Sequence, residues 1–378
     1  MIPVTYKIKC EIVIPIYDQV DYTRHCIDSI FANTECPFRL ILVNDGSREQ
    51  ATRDYLNDLQ SREPERVRVL HNEKNIGYVR TVNHGLANTT AEFVVVMNND
   101  TLVYPDWLTE MIAIAEKDPA TGLVNPLWEL PKLFKKIGRD RYFQAEVQPH
   151  KGTWIETDWI RGCCYLTKRS VIDKIGGLDL DFAPAYYDDW DYSMRALAAG
   201  FKCVRALGAY VFHFKNITYS SYGSKDQVSG LLSEKGTLFF GRWGRPLKIL
   251  LVDNGTIEDF GERLPGTLRD QHKIVLITSR ADMVTSAHTN LAVLNTPAWL
   301  IGLRAFFLLL DNARHSPAKR FHLILADKGF IAFIKRCRLF FGKCYWETAG
   351  LDAAPAFAAI IERMRFRSQN TITKAPPQ

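Results

Sequence analysis

The chain has 378 residues, of which 47% are hydrophobic and 24% are charged, and its formal net charge is +6. This is the composition of a globular protein, and the length is enough for two hydrophobic cores rather than one. We therefore expect two domains, residues 1–244 and 245–378. The boundary is placed in Gly241–Pro246, where glycine and proline punctuate a basic stretch.

Basic residues are concentrated in the last third of the chain. Residues 1–245 carry 30 basic and 31 acidic side chains, whereas residues 246–378 carry 18 and 11. The excess indicates an anionic partner, with a solvated basic face as the alternative. Phe330–Phe341 and Ile361–Arg367 interleave basic and bulky apolar residues, which favours peripheral contact with an anionic membrane or a helix packed on its own sheet. No recognisable nucleic-acid-binding motif is present, so we predict no nucleic-acid partner.

The spacing of the cysteines and the apolar stretches indicate where in the cell the protein is located. The eight cysteines show no Cys-x-x-Cys pair and no disulfide-like rhythm, so we expect reduced thiols. The first residues lack the apolar stretch of a secretion signal. The longest apolar stretch, Leu291–Leu310, is interrupted by Pro297 and Arg304, which favours a core or interfacial helix over a membrane span. We expect a cytoplasmic location. If the basic helices bind a membrane, the protein would lie at the inner face of the cell membrane.

The first domain is predicted to alternate strands with helices. Short apolar runs predict strands at Cys10–Pro15, Arg39–Asn44, Val67–Leu70 and Phe93–Met97, with helical spacing between them. This alternation predicts an α/β fold with a mostly parallel sheet. Residues 126–160 lack a clear period and are interpreted as an irregular flap or an acceptor loop. A helix at Trp190–Ala199 and a strand at Tyr210–His213 follow.

The second domain is predicted to be a smaller α/β unit. Strands are predicted at Lys248–Asp253, Lys273–Thr278 and Phe321–Ala326. The first two, with a helix between them, resemble the opening half of a Rossmann-like domain. Asn254–Gly261 contains only scattered glycines rather than a glycine-rich loop. A Rossmann-like half and an accessory docking domain therefore both remain open.

Polar residues follow the first strands, where parallel α/β sheets bind their ligands. Pro15 and Tyr17 follow strand one, and Asp45 follows strand two. An aspartate there can accept the ring N–H of a uracil and a tyrosine can stack on the base, but Asp-Gly-Ser is also an ordinary turn. Asn75 and Gly77 lead into a helix, which suits a phosphate, a ribose or any loop.

A third polar cluster, Asn98-Asn99-Asp100, follows the apolar strand Phe93–Met97. A carboxylate at a strand end can hold a divalent cation against a diphosphate, since Mg²⁺ and Mn²⁺ prefer oxygen ligands and share them with substrate phosphates. A loop aspartate without a ligand is the alternative. His213 ends a predicted strand, a position where a lone histidine is more often structural than a ligand.

Three carboxylates, Asp188, Asp189 and Asp191, open the helix that contains Arg195. Carboxylates this close repel one another unless a cation, a helix N-terminus or a base role explains them, and helix capping explains only one. A carboxylate beside a substrate hydroxyl can take its proton, and mutual repulsion raises its pKa toward a useful value. The pattern favours a general base among these residues.

Taken in order, these motifs resemble glycosyltransferase family 2, an inverting family with the GT-A fold, over about residues 8–240. The family's first strand ends in a proline and an aromatic residue, as at Pro15 and Tyr17, and its second ends in a base-reading aspartate, as at Asp45. Trp159–Arg169 is similar to the family's acceptor-side strand. Gly176–Gly177 is similar to the glycine pair before its catalytic loop.

The resemblance implies roles for individual residues. The family's Asp-x-Asp element, which binds metal and diphosphate, corresponds to Asn98–Asp100, so Asp100 keeps the metal role while an asparagine replaces the first acid. The Glu-Asp-x-Asp motif corresponds to Asp188–Asp191, which implies Asp189 as general base and Asp191 as the alternative. A histidine beyond that motif completes the metal shell in a subset of the family, which implies His213. Mn²⁺ or Mg²⁺ is the implied cofactor.

The implied reaction is the inverting transfer of a hexose or deoxyhexose from a UDP-sugar, or alternatively a dTDP-sugar, to a hydroxyl. The acceptor would be a glycan or a lipid-linked glycan of surface polysaccharide or lipopolysaccharide synthesis. A catalytically silent nucleotide-sugar-binding module is the alternative suggested by Asn98 and opposed by the acidic triplet. A nucleotidyltransferase would need a glycine-rich loop with a basic residue after strand one, unlike Pro15–Asp18.

Overall fold

The structure of the chain is a computed structural model that describes residues 8–128, 136–214, 224–253, 255, 271–284, 287–314, 321–337 and 347–349. Two compact units are present, Met1–Phe239 and Phe240–Gln378. Their division falls inside the helix Lys225–Trp243. The domain boundary predicted after residue 244 stays a prediction.

The first unit is built on a nine-stranded sheet with the order β3-β2-β1-β4-β8-β6-β9-β5, and β7 also pairs with β9. The strands are β1 Cys10–Ile16, β2 Phe38–Asn44, β3 Val67–His71, β4 Phe93–Met97, β5 Thr101–Val103, β6 Thr121–Leu127, β7 Trp154–Thr157, β8 Cys164–Lys168 and β9 Lys202–His213. The four strands β3, β2, β1 and β4 are mutually parallel. β8 is antiparallel to both β4 and β6, so β6 and its parallel partner β9 run in the same direction as β4.

Six of these nine described strands therefore share one direction, which confirms the α/β fold with a mostly parallel sheet. Only β5, β7 and β8 run the other way. The carboxyl ends of β1, β2 and β4 consequently meet at one edge of the sheet, where the predicted polar clusters lie.

Helices alternate with these strands. They are α1 Val20–Asn33, α2 Gln50–Arg62, α3 Tyr78–Leu86, α4 Trp107–Lys117, α5 Arg139–Tyr142, α6 Arg169–Ile175, α7 Asp188–Ala198 and α8 Lys225–Trp243. The close approach of α3 to β1 depends on Gly85, because a Cβ atom there would lie 2.3 Å from Cγ1 of Val13. The segment predicted to be irregular, residues 126–160, contains the short helix α5 and strand β7 within its described part.

Both faces of the sheet are buried, which is why its central strands read as continuous apolar runs. Along β4, Phe93 and Val95 pack in one core cluster, while Val94 and Val96 pack in the other. Truncating a fully buried residue such as Val95 to alanine should cost about 1–3 kcal/mol. The two cores fix the strand ends that carry the polar clusters.

The second unit contains a five-stranded, all-parallel sheet in its described residues. The strands are β10 Lys248–Asp253, β11 Lys273–Thr278, β12 Leu291–Asn295, β13 Leu323–Leu325 and β14 Glu347–Ala349, in the order β12-β11-β10-β13-β14. The described helices are α9 Ile301–Arg314 and α10 Lys328–Arg336. Numbered within the unit, this order is 3-2-1-4-5, the order of a Rossmann-type sheet.

The apolar stretch Leu291–Leu310 differs from its predicted form as a helix. It begins as strand β12, turns at Pro297 and becomes helical only from residue 298 onward. Proline lacks the N–H that a sheet requires, so the strand ends before it. No helix within the described residues is both long and apolar enough to cross a membrane.

Two sets of predictions bear on residues that are only partly described. The described cysteines, all eight except Cys344, are free thiols. Residues 338–341 of the first basic segment, all of the second segment Ile361–Arg367, and Asn254–Gly261 apart from Gly255 lie outside the described residues.

Candidate functional site

A cavity of about 570 Å³ opens at the carboxyl ends of β1, β2 and β4. This volume is in the range of small-molecule binding sites. Ten of the twelve predicted site residues line it: Pro15, Tyr17, Asp45, Asn75, Asn98, Asn99, Asp100, Asp188, Asp189 and His213. Motifs that are far apart in the sequence thus line one cavity, because the parallel strands that carry several of them end at the same edge of the sheet.

Asp45 is held rigidly at the end of β2. Its Oδ1 atom accepts hydrogen bonds from Nδ2 of Asn72 and the backbone N–H of Ile76, both at 2.9 Å. Its Oδ2 atom accepts one from the backbone N–H of Gly77 at 3.1 Å. A carboxylate oxygen can accept more than one donor, so Oδ2 keeps acceptor capacity toward the cavity. Gly77 itself does not line the cavity and contributes through this bond.

Strand pairing brings the two predicted metal ligands together. β5 pairs antiparallel with β9, and Thr101 lies opposite His213 in that register. The backbone N–H of Phe214 also donates to the carbonyl of Asp100 at 3.0 Å. As a result, Nε2 of His213 lies 3.1 Å from Oδ1 of Asp100, and both side chains are largely buried.

The charge state of His213 follows from this contact. Burial by itself lowers the pKa of the imidazole, but the hydrogen bonds with Asp100 and with Cys163 outweigh it and raise the pKa to about 10. The site therefore favours positive charge next to the Asp100 carboxylate. Among the described residues, no group of three or more His, Cys, Asp or Glu side chains is arranged to hold a metal.

Asp189 is fixed in the first turn of α7. Its Oδ2 atom accepts from the backbone N–H of Gly162 at 2.8 Å, and its Oδ1 atom accepts from that of Trp190 at 2.9 Å. The Gly162 carbonyl in turn accepts from the hydroxyl of Tyr78 at 3.1 Å. The loop before β8 thus ties this carboxylate to helix α3.

Burial shifts the pKa values of the two neighbouring carboxyls. Burial, reinforced by the charge of Asp189, raises the pKa of Asp188 to about 8. Burial also raises the pKa of Asp189, but hydrogen bonds from Gly162 and Trp190 and the charge of Arg161 oppose the rise. The ionised form is therefore favoured on Asp189 and the neutral form on Asp188.

Asp191 does not line the cavity. Its carboxylate is fully buried and its Oδ2 atom lies 2.7 Å from Nε of Arg195. Arg195 also donates to the carbonyls of Ile175 and Gly177, both at 2.8 Å. This geometry gives Asp191 a structural task, holding α7 to the Gly176–Gly177 loop, rather than contact with a substrate in the cavity.

Several lining residues were not predicted as site residues: Tyr78, Thr81, Trp128, Arg161, Cys163, Tyr186, Tyr187, Trp190 and Leu232. Trp190 lies inside the acidic motif and Arg161 inside Trp159–Arg169. Their position within these motifs could have identified them as site residues from the sequence. Trp128 carried no such signal because it lies in the aperiodic stretch.

Comparison with known proteins shows which family the first unit is similar to. Residues 11–175 match the family model "Glycosyl transferase family 2". The matched segment contains β1 through β8 and the polar residues at the ends of β1, β2 and β4. This match confirms the resemblance of the first unit to the family. The α/β fold with a mostly parallel sheet is confirmed by the strand directions, and its GT-A type stays a prediction.

Curated relatives share the first part of the chain. An uncharacterized protein of Sinorhizobium fredii is 27% identical over an alignment of 237 positions that covers 57% of this chain and 25% of that protein. An uncharacterized glycosyltransferase of Rickettsia typhi is 26% identical over 52% of this chain and 62% of its own length. The O-antigen biosynthesis protein RfbC of Myxococcus xanthus is 24% identical over 57% of this chain and 18% of its own length. The chain thus spans less than two thirds of each of these relatives.

Two solved structures are similar at a low level. GalNAc-T7 with UDP, GalNAc and Mn²⁺ gives a TM-score of 0.46 at 13% identity, covering 55% of this chain and 44% of that one. The mannosyltransferase PcManGT from Pyrobaculum calidifontis, in complex with GDP-Man and Mn²⁺, gives 0.45 at 17% identity, covering 63% and 72%.

Proposed function

We propose that the chain is an inverting glycosyltransferase that transfers a sugar from a nucleotide diphosphate-sugar to a hydroxyl of a glycan or lipid-linked acceptor. One observation carries the proposal. The anchored carboxylate of Asp189 and the Asp100–His213 pair line the same cavity, so a base and a diphosphate-binding group would face one substrate. The match of residues 11–175 to the family supports the reaction class.

The donor is proposed to bind at the β1 and β2 ends. Asp45, with acceptor capacity left on Oδ2, would take the ring N–H of a pyrimidine, and Tyr17 would lie against the base. Uracil and thymine both present such an N–H, so UDP-sugars are proposed first and dTDP-sugars second. Asn75, next to the tightly held Gly77, and Asn98 would contact ribose or phosphate oxygens.

A divalent cation fits the chemistry of the Asp100–His213 pair. Nε2 of His213 and Oδ1 of Asp100 lie 3.1 Å apart, and a bound cation would replace the proton that this contact favours on the imidazole, because only a neutral imidazole binds a metal. Two protein ligands suffice for Mg²⁺ or Mn²⁺, since phosphate oxygens and waters supply the remaining positions. Asp100 and His213 would hold such an ion, which would stabilise the negative charge that develops on the leaving diphosphate.

Asp189 is proposed to act as the general base. It would accept the proton of the acceptor hydroxyl as that oxygen bonds to the anomeric carbon, and the bond from that carbon to the diphosphate oxygen would break on the opposite face. The nucleoside diphosphate leaves and the configuration inverts. A carboxylate whose pKa is raised is a better base near neutral pH, and two backbone donors hold Asp189 in place.

Surface polysaccharide synthesis is the proposed context. The relative from Myxococcus xanthus is named an O-antigen biosynthesis protein, although the match spans 18% of it. Acceptors of that kind are often lipid-linked, which motivates a location at the inner face of the cell membrane.

Peripheral membrane contact is proposed through the second unit. In its described residues, Trp299, Leu303 and Phe307 are spaced four residues apart and are 81%, 52% and 60% exposed. Phe333 on α10 is 48% exposed, with Lys335 and Arg336 in the last turn. Exposed aromatic residues beside basic ones suit an anionic bilayer surface. Flotation with anionic and neutral vesicles tests this, and salt-insensitive or absent binding to anionic vesicles would reject it.

The reaction is tested by measuring release of nucleoside diphosphate from a panel of nucleotide-sugars, with and without Mn²⁺, in the presence of simple glycan acceptors. Metal-dependent release from one donor is the expected result. Tight nucleotide binding with no release across the panel and no release with extracted lipid-linked acceptors would favour the binding-module alternative. Absence of nucleotide binding would contradict the donor site itself.

A further inference from the structure

The geometry points to Arg161 as the binding site for an anionic group, a phosphate or a carboxylate, carried by the acceptor. This inference rests on the proposed function and narrows its substrate class. Arg161 lines the cavity and comes directly before Gly162, whose N–H holds the Asp189 carboxylate. An acceptor hydroxyl at Asp189 would therefore place its neighbouring groups beside the guanidinium.

The backbone of Arg161 is clamped in place. Its N–H donates to Oδ1 of Asn125 at 2.9 Å, and its carbonyl accepts from Nδ2 of the same side chain at 3.3 Å. Asn125 is fully buried in β6. Two hydrogen bonds therefore fix the loop that carries the guanidinium to strand β6.

The guanidinium of Arg161 lies against two indole rings. Its guanidinium carbon lies 4.1 Å from the ring centre of Trp159 and 4.8 Å from that of Trp128. Trp159 packs in turn on Trp190, with 5.2 Å between ring centres. Contact of this kind holds the plane of the guanidinium in one orientation while leaving its edge N–H groups available to a ligand.

The guanidinium has no ionic partner in the described part of the chain. No carboxylate oxygen there lies within salt-bridge distance of it, and its buried Nε atom has no hydrogen-bond partner. A buried polar group without a partner is costly, and an arginine edge matches the geometry of phosphate and carboxylate oxygens. A ligand anion in the cavity would accept from the terminal N–H groups of the guanidinium, since the Arg161 side chain as a whole is only partly buried.

Charge balance favours the same conclusion. Asp189, on which the ionised form is favoured, lines the cavity and would repel an anionic acceptor, whereas a neutral acceptor would need no cation. The positive charge of Arg161 already acts on Asp189. Arg161 lies one residue before Gly162, whose N–H holds the Asp189 carboxylate. Its positive charge would therefore offset the repulsion between Asp189 and an anionic acceptor.

The test uses calorimetry on the full chain, first with UDP and Mn²⁺ alone and then with both saturating, so that the donor diphosphate site is filled. The loaded wild-type protein and the Arg161→Gln variant are titrated with glucose 1-phosphate, glucuronate and glucose. We expect one anion to bind the wild type at least tenfold more tightly than glucose does. Arg161→Gln should weaken that binding about ten- to hundredfold and leave the affinity for UDP unchanged.

Two further variants act as controls. Arg141→Gln removes an exposed arginine of α5 and should change nothing. Arg161→Lys keeps the charge without the planar fork and should bind the anion with intermediate affinity, which keeps the test usable if the glutamine variant fails to fold. Preference for glucose 1-phosphate would identify a phosphate-bearing acceptor, and preference for glucuronate would identify an acidic sugar.

Three results would overturn the inference: equal anion affinity in wild type and Arg161→Gln, no anion binding to the loaded wild type, or loss of UDP affinity in the variant. The last would place Arg161 at the donor diphosphate. If UDP does not bind the wild type, the proposed donor site fails. Arg161-dependent anion binding in the same titration would then still stand by itself.

Discussion

Nε2 of His213 lies 3.1 Å from Oδ1 of Asp100, although 113 residues separate them in sequence. The contact exists because the short strand β5 pairs with the end of β9 and sets Thr101 opposite His213. Strand pairing thus brings together two residues for which the family resemblance implies a shared metal, at a point of the cavity where a histidine and a carboxylate could share a cation.

The pair should control metal-dependent nucleotide binding. Replacing Asp100 with alanine removes the only charged oxygen ligand of the pair, so we expect the Mn²⁺-dependent part of UDP affinity to fall at least tenfold. His213→Ala should have a smaller effect in the same direction. Calorimetry with UDP, with and without Mn²⁺, provides the measurement.

The matched control for these variants is Asn98→Asp, which restores an acid at the first position of the motif. It should retain or strengthen Mn²⁺-dependent binding. Unchanged UDP affinity in Asp100→Ala, at every Mn²⁺ concentration, would remove Asp100 from the metal site.

Asp189→Asn should abolish transfer while sparing nucleotide binding. The amide keeps the size of the side chain but loses the basic oxygen, and general-base catalysis contributes roughly 10²–10⁴-fold to the rate. We therefore expect kcat to fall by about that factor with UDP affinity within twofold of wild type. Turnover and calorimetry on the same preparation decide the point, with the exposed Asp173→Asn as control. Near-normal kcat in the variant would assign the base elsewhere.

Asp191→Asn should behave differently, as a stability variant. Its carboxylate is fully buried against Arg195, and leaving one member of a buried ion pair unpaired costs roughly 3 kcal/mol or more. We expect a clearly lower Tm, with turnover per folded molecule reduced far less than in Asp189→Asn. Thermal unfolding and active-site titration separate the two. Wild-type Tm combined with lost turnover would instead favour the alternative that Asp191 is the base.

Sequence patterns predicted the strands of the first unit that are buried on both faces. β1, β2 and β4 are buried on both faces, so their apolar runs placed them to within one or two residues. β5 and β7 are short and pair only with β9, so they left no periodic signal. β12 opens an apolar stretch whose length favoured a helix, because periodicity does not distinguish short apolar strands from helices.

The residues of the candidate site also fall into a part that the sequence predicted and a part that it did not. Asp45, Asp100 and Asp189 were predictable because they belong to ordered motifs at strand or helix ends. The contact of Arg161 with Trp128 and Trp159 was not predictable, because it depends on how β6 and the loop before β8 approach each other. No local pattern in the chain encodes that approach.

Asp188 should make stability depend on pH in a direction opposite to that of a salt-bridged carboxylate. Burial raises its pKa to about 8 in the folded protein, against an ordinary value of 3.8. Between these two values the folded state binds more protons than the unfolded state, so stability is fully present below about pH 4 and is lost as pH rises to about 8. Above that range the folded protein must keep a buried charge.

Asp188→Asn removes this dependence because the amide is neutral throughout. We expect the variant to have a Tm several degrees above wild type at pH 8–9, with the difference shrinking steadily as pH falls toward 4. Asp173→Asn, on an exposed carboxyl of α6, should show a constant difference over the same range. Calorimetric unfolding at pH 4, 6, 8 and 9, without nucleotide, measures both. A Tm difference that stays constant or grows toward acid pH would show that Asp188 is ionised in the folded protein at neutral pH.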